Sequence, residues 1–131
     1  MSGFTDYLED KVLDHVFGGN AYTAPTNLYV ALYTVSPGDD GTGGTEVSGG
    51  AYARQTATFN VSGSSPTEAT NAAAIEYPTA TADYGTVVAC AILDASSGGN
   101  MLAYATLTSS KVVSTGDVFR FDAGDLDITL A

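Results

Sequence analysis

The single histidine and the single cysteine, His15 and Cys90, are the first places to look for nucleophilic chemistry in this chain. A Ser-His-Asp or Cys-His arrangement needs an imidazole within hydrogen-bond reach of its nucleophile. His15 follows the acids Asp6, Glu9, Asp10 and Asp14 on a helical pattern, and nothing in the spacing brings it to Cys90 or to a serine. It suits a helix C-terminus, where a partly protonated imidazole complements the negative pole. Cys90 stands between Ala89 and Ala91 in an apolar run and reads as a small buried hydrophobe without a disulfide partner. One histidine and one cysteine cannot furnish the ligands of a zinc site. Asp39-Asp40 and the run Asp122, Asp125, Asp127 place carboxylates in glycine-containing turns, where calcium is the alternative reading. Neither matches an EF-hand loop, and aspartate commonly serves strand ends as turn residue and edge protector, so no metal site is assigned. Glycoside hydrolysis needs two acids across a cleft, and the chain has no tryptophan to stack a sugar. The glycine-rich stretch 38–50 precedes neither Gly-Lys-Ser/Thr nor a helix, so it is not a phosphate cradle. The residues predict a protein that is not an enzyme, with no catalytic, cofactor-binding or metal-ligating set.

Charge narrows the partners. Four basic residues against fifteen acidic ones give a net charge of −11, which opposes non-specific binding to nucleic acid or to an anionic membrane. The acids are dispersed along the chain, as on a solvated surface. No apolar run approaches the roughly 18 residues of a membrane span, and the N-terminus lacks the pattern of a secretory signal; the expectation is assembly in a host cytoplasm.

The elements that must hold these residues are mostly short strands. At 131 residues and 44% hydrophobic content, the chain is expected to be a single domain, 1–131, with a core that needs no staple. Helical spacing of Phe4, Leu8, Val12, Leu13, Val16 and Phe17 predicts one helix at about 4–17, capped by Thr5 and stopped by Gly18-Gly19. Its apolar stripe is expected either on the protein's own sheet or on a neighbouring subunit. A β-domain at about 27–131 follows. Asn27–Thr34 alternates as a strand, residues 35–50 form a long glycine-rich loop, and Ala51–Val61 reads as the next strand with Arg54 pointing outward. A polar connection through Pro66 leads to a short strand at 72–77. Thr86–Leu93, apolar on both faces, pairs through the turn 94–100 with Met101–Leu107 as a central hairpin. A polar turn at 108–110, strands around Val112-Val113 and Val118–Phe121, and an edge-like strand after Asp125 complete the pattern. It predicts a mainly β fold: an antiparallel β-sandwich or jelly-roll-like barrel with one N-terminal α-helix.

The segments Phe4–Gly19, Ala21-Tyr22-Thr23-Ala24-Pro25 and Leu28-Tyr29-Val30-Ala31-Leu32 resemble the opening of a family of small tailed-bacteriophage virion proteins. Gly44–Gln55 and Tyr84–Asn100 extend the resemblance over nearly the whole chain, although Tyr84 stands where that family usually has tryptophan and Cys90 where another residue is usual. Such proteins are described as tail fibre-like or as capsid decoration (cement) proteins. The resemblance implies a virion structural protein on the outer surface, binding the major capsid protein or a tail protein, as a homo-oligomer with a trimer expected by analogy.

Negative charge suits a decoration protein, which must not compete for the genome and must stay soluble before assembly. A fibre shaft is long and repetitive, so a chain without repeats or heptads would be a tip or adaptor. The leading expectation is therefore a cement protein, with a tail-associated part as the alternative and a small carbohydrate-binding module as a third. Candidate interface residues are Phe4, Tyr7 and Leu8 on the helix, Tyr22, Tyr29 and Tyr33, because tyrosine favours interfaces, and Asp39 and Asp40 in the loop.

Overall fold

The computed structural model describes residues 3–64 and 67–130; Ser65 and Pro66, within the predicted polar connection, lie outside the described residues. In chain order the elements are β1 (Gly3–Phe4), α1 (Asp6–Val16), β2 (Leu28–Val35), β3 (Thr45–Glu46), β4 (Gln55–Ala57), β5 (Phe59–Ser62), β6 (Thr67–Asn71), β7 (Ile75–Glu76), β8 (Gly85–Leu93), β9 (Met101–Val113), β10 (Arg120–Phe121) and β11 (Asp127–Leu130). The largest sheet runs β1-β9-β8-β2-β3, with β4 also on β2; β11-β6-β5 and β10-β7 form two smaller sheets, and every pairing is antiparallel.

The expected hairpin is the middle of this structure: β8 pairs with β9 on one side and β2 on the other. Alternation then sorts β2 and β8 into two faces. Val30, Leu32, Cys90 and Ile92 face inward and meet Ile75, Tyr77, Phe119, Phe121 and Leu126 from the smaller sheets and their turns. That is the sandwich core, and each fully buried aliphatic side chain in it contributes about 1.5–3 kcal/mol. Tyr77 closes it: buried, T-shaped against Phe119, and donating its hydroxyl to the Val30 carbonyl at 2.7 Å.

The outer face of the large sheet is also covered, as an all-apolar central strand requires. Ala31, Ala89 and Ala91 are fully buried there beside Leu93 and Met101. Small side chains leave room for main chain, and the loop after β2 takes it. Pro37 is buried, and a Cβ on Gly41 would lie 3.5 Å from that of Met101. The Asp39 carbonyl accepts from Asp6 N at 2.8 Å, which ties the loop to the start of α1. The glycine-rich loop is thus partly a lid on the sheet.

Several local expectations are corrected. The predicted helix start at Phe4 is a strand, because Gly3 and Phe4 pair with Tyr104 and Ala103 of β9. Thr5 is fully buried, donates its hydroxyl to the Met101 carbonyl at 2.5 Å and begins the helix. Residues 51–61 are not one strand: β4 belongs to the large sheet and β5 to the second, so the chain changes layers at Thr58. A strand, β6, begins at Thr67 within the expected connection. The polar residues 108–110 do not end a strand either. Val87 pairs with Lys111 and Ala89 with Thr106, so β9 carries an irregularity that bulges these residues out.

Candidate protein interface

Helix α1 packs on β1 and β9 and buries none of its residues. Leu8 and Val12 are half-buried, whereas Leu13, Val16 and Phe17 are 59%, 61% and 82% exposed. The predicted apolar stripe is therefore two rows, one toward the sheet and one toward solvent. The helix is stopped where expected: Phe17 N and Gly18 N both donate to the Leu13 carbonyl, and a Cβ on Gly18 would sit 2.7 Å from the Asp14 carbonyl oxygen. The chain then folds back, with Asn20 donating to the Asp14 carboxylate and Tyr22 N donating to His15 Nδ1 at 3.1 Å. His15 is engaged as a local acceptor at the helix end.

The structure brings several candidate residues together around the start of α1. Phe4, Tyr7 and Leu8 are half-buried there, and Lys11 Nζ lies 5.6 Å above the Tyr7 ring. Asp39 joins them through Asp6 and accepts from the Tyr104 hydroxyl, a bond that heads the causes raising the Tyr104 pKa. Tyr22 is half-buried, its phenol raised first by burial and then by Tyr7 and Asp94. Asp40 is separate: exposed, it accepts from Thr42 N at 3.0 Å, and that bond lowers its carboxyl below the ordinary value. Tyr29 is half-buried on the outer face of β2, and Tyr33 on that face is buried, so Tyr33 offers a partner no surface.

Arg54, expected to point outward, does the opposite. Its side chain is only 8% exposed and grips Glu46 with both ends of the fork, Nε to Oε2 at 2.9 Å and Nη2 to Oε1 at 2.8 Å. Nη1 donates to the carbonyls of Ala95 and Gly98, in the turn of the central hairpin. Tyr52 completes the clasp, donating to Glu46 Oε2 at 2.7 Å and accepting from Leu32 N. Burial acts to raise the Glu46 carboxyl, but bonds from Arg54 and Tyr52 outweigh it, and the net pKa is lowered. A shallow groove of about 420 Å³ lies over this clasp. Its charges face one another, so the clasp reads as fold chemistry.

Four turn aspartates behave alike. Asp94 accepts from Asn100 N at 2.7 Å, Asp117 from Ser114 N, Asp83 from Thr115 N and Asp125 from Asp122 N. They clip turns. A wider groove of about 610 Å³ runs between the β9 bulge and β10–β11, with Cys90 and the Phe119 and Phe121 rings in its wall and Asp122, Asp125 and Lys111 among its rim residues. Burial pushes the Cys90 thiol up to about 12. Among the described residues no three His, Cys, Asp or Glu side chains converge as a metal site needs.

Fold and surface together define a small acidic β-sandwich whose polar side chains secure its turns and whose helix α1 presents an open outer face. Residues 3–129 match the family described as podophage GP4 fiber I protein gp80. The chain belongs to that family, and it is a structural protein of a phage virion. No curated protein matches it.

Proposed function

We propose that this protein is a non-enzymatic, tail-associated fibre subunit that joins other virion proteins through its surface. The match of residues 3–129 to a fibre-protein family carries the reading. The architecture supports a tip or adaptor role, because a compact sandwich without repeat or heptad cannot make a shaft. A capsid decoration role is the second reading, favoured by the net charge of −11, which keeps a protein soluble before assembly and off the packaged genome. The two differ in stoichiometry. Quantitative mass spectrometry of purified virions should find the chain in tail-like numbers, tens of copies or fewer. Hundreds of copies, on a par with the major capsid protein, would replace the fibre reading with the decoration one.

A further inference from the structure

The outer side of α1 carries two chemistries on one strip. Asp6, Glu9 and Asp10 occupy its first half and Leu13, Val16 and Phe17 its second, at steps of three and four residues that put all six on one side. All six are exposed. An apolar cluster left in water beside a charged one marks an interaction site, and the charge states what can cover it.

A second copy of the chain does not fit. Two such helices laid parallel oppose their acids; laid antiparallel, each sets its carboxylates against the other's apolar end and desolvates them without a counter-charge. Nor can the rest of a second copy supply a basic cluster. Arg54 is buried against Glu46, Arg120 is paired with Asp122 and Glu76, Lys11 sits over Tyr7 on the helix itself, and Lys111 lies apart from them in the wide groove. An anionic lipid surface is repelled by the net charge of −11.

We infer that the outer face of α1 docks on a different virion protein, one that presents a cluster of Lys and Arg beside an apolar pocket. Phe17 fills the pocket with Leu13 and Val16 around it, and Asp6, Glu9 and Asp10 meet the basic cluster. The aromatic anchor holds most of the affinity, while the charges set encounter rate and salt sensitivity. The inference rests on the assembly reading above for the partner being a virion component, but not on whether that component is of tail or head.

The test places a photocrosslinking phenylalanine analogue at position 17 of the full chain in assembled virions, with the same analogue at exposed Val61 as control. Position 17 should crosslink to one other virion protein, at a peptide containing basic and apolar residues, and position 61 should not. A crosslink to a second copy, to a peptide without Lys or Arg, or none at all overturns the inference. In parallel, F17E should lower incorporation into particles at least tenfold while its melting curve stays that of the parent. D6N/E9Q/D10N should bind more weakly and lose the salt dependence of binding. Parental incorporation of F17E also overturns the inference. A basic, apolar crosslink on a head protein would uphold this surface and sink the tail reading; a self-crosslink would overturn this surface and leave the tail reading as it stands.

Discussion

At the scale of single residues, Arg54 and Glu46 join β3 and the approach to β4 to the central turn, which lies 41 to 44 residues beyond Arg54 in the chain. Truncation in R54A strands a partly buried carboxylate and two carbonyls, and should cost about 3–5 kcal/mol in urea unfolding. R54K keeps the charge but loses the fork, and should recover only part of that. The lowered Glu46 pKa fixes the pH dependence. A carboxyl depressed on folding adds stability above its ordinary value of 4.5, and that stability is lost as pH falls through the lower folded value. Unfolding free energy measured from neutral to acid pH should fall in that window, and E46Q should flatten that part of the profile. Cys90 gives a simpler expectation. With its thiol pushed up to about 12 by burial, it should resist a thiol reagent in the native protein at about pH 8 and react on unfolding. Cys90 as an inert hydrophobe was legible from its alanine neighbours. Arg54 was not, because its partner Glu46 lies on a two-residue strand that reads in the sequence as loop, and an alternating pattern cannot tell an outward arginine from one tethered inward. Asn71 had no sequence signal either, yet it is buried and links the start of the β7 turn to Asp122 and Leu126.

At the scale of elements, the central hairpin and the helix were legible because runs apolar on both faces and i, i+3, i+4 spacing are local signals. The layer change at Thr58 and the faces of the helix were not, because both depend on what already occupies the neighbouring layer. The glycine-rich loop covers the outer sheet face, and α1 is left over β1 and β9 with one row of its apolar residues turned out. Thr5 shows how the N-terminal segment is divided. Its hydroxyl is 3.5 Å from Leu8 N, a weak cap, but bonds strongly to β9, so T5V should cost about 1–2 kcal/mol by thermal or urea unfolding although it is isosteric. Gly50 is a second pivot. It takes φ +61°, its carbonyl accepts from Thr81 N, and a Cβ there would lie 2.7 Å from the Ala82 carbonyl oxygen. G50A should destabilise by at least about 1–2 kcal/mol, whereas alanine at open Gly43, also at positive φ, should cost only the backbone penalty.

At the scale of the whole molecule, surface chemistry outranks any cavity. The charge that opposes non-specific binding to nucleic acid also makes a partner with basic residues favourable, and of the aspartates that looked like ligands in sequence, Asp40 and Asp125 bond the main chain of their own turns while Asp39 accepts from Tyr104 and Asp122 from Arg120. The mainly β fold was legible from the pattern of the residues, and the virion class from the resemblance of whole segments to a known family. Position in the particle was not, since acidity and small size suit a head-surface protein and a tail part alike, and the family match alone tips the balance to the fibre. Gold-labelled antibody against this chain, applied to intact virions and imaged in the electron microscope, tests that balance most directly. The account predicts label confined to the tail end of the particle; label distributed over the faces of the head would contradict it.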